Sequence, residues 1–301
     1  MIPLRVLDIC SGAGYFSYGF KQAGYELDGG IDNWKPAVST YNKYLPAECR
    51  LIDLIDYFPT RKDYDMVILA ATPCQDFSRV NTNRNIFSKR AQLVLDFCRV
   101  VTAMQPDIFV FENVIGLSKW AEQALFEIKK YKITKNIVDT KYYGVPQSRR
   151  RKIFIGSKER HISLMEPRNY TIHTVKEAFS MIKNNWGFTD HRPETIEKFK
   201  KVKSTSWTSK SPNSDYEGVI RLSWNDPACA ITNVKKAQIL HPEKDRVISI
   251  AEAMALQGIP EWYIPEGNEV DQATQVGNAV PPKLAFHIAK RIKTPIQKKL
   301  M

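Results

Sequence analysis

The residues best suited to covalent chemistry in this chain stand where apolar runs end. Residues 66–71 form such a run, and Pro73, Cys74 and Gln75 follow it almost at once. Its length and composition are those of a buried parallel strand, and the turn after such a strand opens on the ligand crevice of a doubly wound sheet. A thiolate at Cys74 would stand at the mouth of that crevice and could attack a polarised ring carbon. The alternative is that Cys74 is a small buried hydrophobe, a common fate of a free cysteine. Polarising groups lie downstream. Glu112 ends the apolar run 107–111, where burial would let it carry a proton at neutral pH; it reads equally as a helix-capping or ion-paired glutamate. Arg149, Arg150, Arg151 and Lys152 lead into another apolar run. Strand alternation puts Arg149 and Arg151 on one face and Arg150 and Lys152 on the other, so one pair can point into the crevice. A basic run of this kind is otherwise a solvated face or a phosphate patch.

Repeated strand-turn-helix units are what would carry these groups. Residues 4–9 are a short apolar strand, and Cys10, Ser11, Gly12, Ala13 and Gly14 make a small-residue turn before the helical pattern 16–23. Such a turn either lets backbone N–H groups approach a cofactor or is an ordinary connection. The second unit, 27–31, ends in Asp32, Asn33 and Trp34; a carboxylate there can accept from ribose hydroxyls, or cap the next helix. A third unit brings Asp53 and Leu54, and the fourth brings Cys74. Four units, each with a polar residue at the carboxyl edge of its strand, predict a parallel sheet with a nucleoside-bearing ligand.

Between 77 and 89 the chain is polar and basic, a lid over bound nucleic acid or a solvated connection, and 90–104 then reads as an amphipathic helix. From about residue 180 the character changes. Residues 184–214 are lysine-rich without sustained periodicity, interrupted by Trp186, Phe188, Phe199 and Trp207; this suits a lobe that touches nucleic acid, or an insertion with a small core of its own. Residues 250–257 resemble a short helix. The segment 275–282 starts a C-terminal helix whose Leu284, Ala285, Ile288, Ala289 and Ile292 share one face, to be covered by the first domain.

Composition agrees with this outline. A chain of 301 residues holds one sizeable α/β domain and a smaller lobe. The formal charge of +12 points to a polyanionic partner, although solvated lysines alone raise a net charge. Five cysteines without a paired spacing indicate a reducing compartment and no structural metal. Neither a secretory leader nor a membrane-length apolar run is evident, so the expected location is the cytoplasm.

Taken in order, these blocks resemble the DNA (cytosine-5) methyltransferase family, of the prokaryotic or phage restriction-modification type. They are the segments 8–14, 73–75, 112–114, 147–151 and 277–282, with Arg246, Leu256, Gln257 and Gly258 before the last. The resemblance covers nearly the whole chain. It implies an α/β fold with a doubly wound, mostly parallel sheet of the S-adenosylmethionine-dependent methyltransferase type. The catalytic, cofactor-binding domain would comprise residues 1–180 plus 262–301, and the target-recognition domain residues 181–261. The implied reaction methylates carbon 5 of a flipped-out cytosine in a specific duplex DNA sequence through a covalent Cys74 adduct. Cys74, Glu112, Arg149 and Arg151 would be catalytic. S-adenosylmethionine would be held by Cys10, Ser11, Gly12, Gly14, Tyr15, Phe16, Asp32, Asn33, Asp53, Leu54, Pro73, Leu93, Asn278 and Ala279. DNA would be contacted by Gln75, Ser78, Arg79, Arg84 and Arg246. The resemblance further implies a monomer, without metal, working separately from any cognate restriction endonuclease. Two departures concern the cofactor pocket: Cys10 and Tyr15 replace an aromatic and a second glycine of many members, and Asn33, with Trp34 next to it, stands where some members stack a tryptophan on adenine. An RNA (tRNA) cytosine-5 methyltransferase and a catalytically silent DNA-binding homologue are the alternative readings.

Overall fold

The computed structural model describes residues 5–59, 65–72, 89–167, 169–204, 219–235 and 238–293. In chain order its elements are β1 (Arg5–Ile9), α1 (Tyr15–Gln22), β2 (Glu26–Asp32), α2 (Lys35–Tyr44), β3 (Cys49–Leu51), β4 (Met66–Ala70), α3 (Lys89–Met104), β5 (Ile108–Val114), α4 (Lys119–Phe126), β6 (Lys132–Asp139) and β7 (Arg150–Ser157). There follow α5 (Val175–Ser180), α6 (Pro193–Lys200), β8 (Ile220–Arg221), β9 (Ile239–Leu240), α7 (Ile250–Gln257), α8 (Glu269–Asn278) and α9 (Pro282–Lys293). Seven strands form one sheet in the order β3-β2-β1-β4-β5-β7-β6, and only β7 runs antiparallel to its neighbours. The doubly wound, mostly parallel α/β architecture expected from the sequence is the one observed.

Alternation along the apolar strands explains why helices cover both faces. Leu7 and Ile9 of β1, Met66 and Ile68 of β4, Phe109 and Phe111 of β5 and Phe154 of β7 all enter one core, with Val94, Phe97 and Val101 of α3 and Leu125 of α4. The intervening residues Val6, Val67, Leu69, Val110, Ile153 and Ile155 enter the opposite core, against Phe16 and Phe20 of α1 and Leu284, Ala285, Ile288, Ala289 and Ile292 of α9. A strand with both faces buried can place polar side chains only at its ends, which concentrates them at the carboxyl edge. The predicted apolar face of the C-terminal helix is thus covered by α1 and the sheet. That helix begins later than expected, however. Residues 269–278 are a helix of their own, capped by Asn268, and α9 starts at Pro282, whose fixed φ and missing N–H suit a first helical position.

The polar stretch after residue 180 contains α6, which its sparse periodicity had concealed. Phe199 of that helix joins Val202, Val219, Leu240 and Val247 in a small separate core. The larger cluster that includes α2, α7 and α8 also takes in Leu222, Ala228 and Ile231, so residues 222–231 share a core with those helices. Among the described residues no helix is long and apolar enough to cross a membrane.

One acid breaks the apolar pattern of β1. Asp8 is 1% exposed, and its Oδ2 accepts hydrogen bonds from Ser17 N at 3.2 Å and Ser17 Oγ at 2.7 Å. Ser17 N is one of the donors that the start of a helix leaves without an intrahelical partner, so Asp8 caps α1 from inside the sheet. Its Oδ1 has no hydrogen-bond partner among the described residues. Burial pushes the carboxyl up to about 7, against the two Ser17 hydrogen bonds, and Asp32 adds to the rise. Raised above its unfolded value, this group favours folding at low pH. That contribution is lost as pH climbs from about 4 to about 7, and is constant above. The stability difference between Asp8→Asn and wild type, followed by urea unfolding, should therefore shift in favour of the variant across that window by up to ~4 kcal/mol. Parallel stability curves for the two proteins would show that Asp8 is ionised when folded.

Candidate active site

The turn between β1 and α1 is braced by acceptors around it. Gly12 and Gly14 have φ of +55° and +81°, a region open to glycine at no steric cost, and a Cβ on Gly14 would lie 2.6 Å from both Tyr41 and Leu45. Cys10 adopts φ +53° with a side chain, a conformation that costs on the order of 1–3 kcal/mol and is retained only when its surroundings impose it. They do so here: Ser11 N donates to Ile31 O at 3.1 Å, Gly12 N to Asp32 Oδ2 at 2.8 Å and Tyr263 Oη to Ala13 O at 2.9 Å. Above Gly12 the space is open among the described residues, none of which comes within 4 Å of where a Cβ would be.

Asp32 uses its other oxygen to accept from Trp34 N at 2.9 Å. Burial raises its pKa, against the hydrogen bonds from Gly12 and Trp34. The carboxylate thus serves as a backbone acceptor at both ends, the capping alternative that its sequence position allowed. Asn33 Nδ2 donates to Asp53 Oδ2 at 2.9 Å, while Asp53 Oδ1 accepts from Ile55 N at 3.2 Å, capping the short turn Leu54–Asp56. Cys10, Ser11, Gly12, Gly14, Asp32, Asn33 and Asp53 therefore gather at one edge of the sheet. The side chains of Tyr15, Phe16, Leu54 and Leu93 are turned into the cores and present almost no surface. Asn278 is exposed at the end of α8, and Ala279 beside it is buried.

Glu112 and Arg151 meet along the same edge. Glu112 is opposite Ile153 in the antiparallel β5–β7 ladder and Arg151 is opposite Val114, which makes the two diagonal neighbours on one face. Arg151 Nε lies 2.9 Å from Glu112 Oε1, and both side chains are about nine-tenths buried. Breaking such a pair leaves an uncompensated buried charge, at a cost of roughly 3–5 kcal/mol. The glutamate is accordingly ion-paired and not a lone buried acid. Asn113 Nδ2 donates to Thr72 O and Oγ1, both at 3.3 Å, and so ties the end of β5 to the segment after β4.

Arg149 departs from the expected alternation, because β7 begins one residue after it. Its guanidinium donates to the carbonyls of Ile231 and Gly277. Lys152, on the opposite face from Arg151, is paired with Glu122. Arg246 is not presented as a free cation. Its terminal nitrogens contact the Glu252 carboxylate at 2.8 and 2.6 Å and its guanidinium lies over the Phe188 ring. Burial pushes Glu252 up, but Arg246 and Ser249 N prevail and hold it below the usual carboxylate range. Pro73, Cys74, Gln75, Ser78, Arg79 and Arg84 lie outside the described residues, as does Trp207. Of the other cysteines, burial pushes the thiols of Cys49, Cys98 and Cys229 up to about 12, and that of Cys10 well above its ordinary value, which unfits all four as nucleophiles at neutral pH.

Sequence reasoning passed over Asp8, Tyr263, Gln147 and Gln257. Asp8 had a signal, an acid inside an apolar strand. Gln147 and Gln257 lie in the family-like segments without a role of their own, while nothing near Tyr263 points to a partner 250 positions earlier.

A sequence model of the family described as C-5 cytosine-specific DNA methylase matches residues 4–294. Type II methyltransferase M1.HphI of Haemophilus parahaemolyticus is 31% identical, with 97% of this chain and 87% of that protein covered. Type II methyltransferase M.HgiDI of Herpetosiphon aurantiacus is 29% identical over 96% of this chain and 94% of its own length. The crystal structure of Schizosaccharomyces pombe Dnmt2 methyltransferase superposes with a TM-score of 0.72 at 16% identity, covering 96% of this chain and 98% of that one, a likeness of fold. With the family's match running almost from end to end over a sheet that gathers a glycine turn, two acids and a buried Glu-Arg pair at one edge, the chain belongs to the C-5 cytosine-specific DNA methylase family and is a DNA cytosine-5 methyltransferase.

Proposed function

We propose that the protein methylates carbon 5 of a cytosine flipped out of a specific duplex DNA sequence, that Cys74 is the covalent nucleophile, and that S-adenosylmethionine is the methyl donor. The observation that carries this reading furthest is the buried Glu112–Arg151 pair at the sheet edge where β4 leads toward Cys74. Carbon 5 of cytosine is a weak nucleophile. A bond from the Cys74 sulfur to carbon 6, with Glu112 protonating or hydrogen-bonding the ring at N3, converts the ring to an enamine whose electron density lies on carbon 5. Arg151 fixes the orientation of the Glu112 carboxyl and adds positive charge beside the oxygen of the ring. Once carbon 5 is methylated, loss of its proton returns the electron pair to the ring and expels the thiolate. Because carbon 6 is hidden in a stacked duplex, the base must leave the helix to reach these groups.

S-adenosylmethionine supplies, when bound, a methyl group on a positively charged sulfur. The lining fits it: among the described residues the space above Gly12 is open, and the Asp32 and Asp53 carboxylates, whose oxygens can each accept a further hydrogen bond, stand along the same edge. Ser11 and Gly12 would face the cofactor through backbone, Asp32 its ribose, Asp53 its adenine and Asn278 its methionine end. Residues 1–180 plus 262–301 would form the catalytic domain and 181–261 the lobe that reads the target, with basic groups around Lys198 to Lys201 facing phosphate. Working on DNA, the enzyme would act in the cytoplasm, as a monomer separate from any restriction partner.

Asp32→Ala should weaken cofactor affinity about 10- to 150-fold, the worth of a charge-assisted hydrogen bond of roughly 1.5–3 kcal/mol, and change duplex affinity little. Equal losses for both ligands would remove Asp32 from the ribose.

The covalent step is tested with a duplex whose target cytosine, located by bisulfite sequencing, carries fluorine at carbon 5. Attack and methyl transfer proceed, but fluorine cannot leave as a proton, so protein and DNA should stay joined on a denaturing gel. The adduct should need S-adenosylmethionine and map to the peptide containing Cys74, and Cys74→Ala should bind the duplex without forming it. Free protein after denaturation, with the unmodified duplex methylated normally, would sink the covalent mechanism. Methylation of tRNA with the duplex left untouched would reassign the substrate.

A further inference from the structure

We infer that Arg149 is a positioning residue, which with Gln147 locks the smaller lobe to the strand that carries Arg151; the inference rests on the function proposed above. Three distant segments converge on the tripeptide Gln147, Ser148 and Arg149. Gln147 is fully buried, donates to Gln257 Oε1 at 2.9 Å and Leu256 O at 3.3 Å, and accepts from Ile231 N at 2.8 Å. Gln257 passes the connection on, donating to Val276 O at 2.9 Å. Ser148 N donates to Ala228 O at 2.8 Å and Ala228 N returns a bond to Pro146 O at 3.0 Å. Arg149, 4% exposed, then reaches Ile231 O with one arm of its guanidinium and Gly277 O, at 2.9 Å, with the other.

The segments are pressed together as well as bonded. A Cβ on Gly277 would lie 2.3 Å from Thr232 O, so only glycine lets the end of α8 touch the backbone after Ile231. Asp139, at the end of β6, holds the tripeptide from the other side: it accepts from Ser148 Oγ at 2.7 Å and Arg149 N at 3.0 Å. A displacement of residues 228–232 relative to the sheet must therefore break buried hydrogen bonds or carry the start of β7 with it. Arg151, two residues on, is the arginine paired with Glu112. The lock thus relates the lobe proposed to read DNA to the pair proposed to hold the cytosine. A planar fork is needed because the two carbonyls belong to different segments, and a lysine ammonium cannot replace it.

Arg149→Lys and, independently, Gln257→Met test this in the full-length protein. With duplex and S-adenosylmethionine both saturating, each variant should lose about 100-fold in single-turnover methylation, the scale expected for a misplacement near 1 Å. Duplex and cofactor affinities should stay within about threefold of wild type, and the double variant should lose little more than either single one, since both open the same lock. Hydrogen exchange should quicken together in the peptides covering 146–152, 228–232 and 276–279. If Arg149 instead touches the flipped base, Arg149→Lys would weaken binding to the cytosine duplex but leave affinity for a duplex with an abasic site at that position unchanged. That result, single-turnover rates within about threefold of wild type, or exchange confined to one segment would each overturn the inference. Should Arg149→Lys fail to fold, Gln257→Met decides by the same criteria. Wild-type protein that methylates neither duplex nor tRNA would count against the proposed function, while the exchange measurement would still judge the lock.

Discussion

A carboxylate at the end of a strand buried on both faces needs a cation, and here that requirement is met by reversing one strand. Parallel strands bring their carboxyl ends to the crevice, so a basic residue preceding an apolar run would stand at the far edge of an all-parallel sheet. Because β7 is inserted antiparallel between β5 and β6, its first residues arrive at the crevice and Arg151 meets Glu112. Much else follows from that reversal. The chain must turn at the end of β6, and the turn brings residues 146–149 to segments far along the chain. The contacts made there involve 228–231 and the ends of α7 and α8.

The glycine turn is held by a different device, acids used as backbone acceptors from two sides. Asp8 lies beneath it and fixes the first turn of α1 through Ser17; Asp32 lies beside it and takes Gly12 N. Burial raises the pKa of both. This is an expensive way to hold a loop, since a buried carboxyl competes for a proton that a serine or asparagine cap would not need. What it achieves is a turn whose left-handed residues, including Cys10, are fixed before any ligand arrives, so that little ordering entropy remains to be lost on binding.

Much of this was legible in the sequence, for identifiable reasons. Strand β4 and the edge position of Glu112 follow from apolar runs that end abruptly, and the covered face of α9 follows from a period near 3.6. The reversal of β7 left no such trace, because an apolar run has the same composition in either direction. Alternation consequently misplaced Arg149, which precedes the strand and obeys tertiary hydrogen bonds. The helix α6 was hidden because its inward face reduces to Phe199, too little for a periodic signal. Arg246 was recognisable as part of a block, but its sequence could not distinguish a phosphate contact from the bidentate contact that Glu252, six residues later, makes with it.

The converging segments also suggest why polar residues occupy a place where aliphatic ones would fit. A buried network of amides and guanidinium contributes little net stability compared with well-packed hydrocarbon, because its desolvation offsets most of the hydrogen-bond energy. Hydrocarbon surfaces can nevertheless slide by a fraction of a side chain at small cost, whereas Gln147 with both ends engaged and Arg149 bound to two carbonyls have one arrangement that keeps those bonds. Leaving any of these groups unpaired in the interior costs about 1–3 kcal/mol, more for the charged arm. The junction of these segments is thereby discrete, either in register or broken. The chemistry proposed above would require nucleophile, acid and flipped base to agree to within about an ångström, and for it a junction that cannot creep is worth more than one that is merely stable.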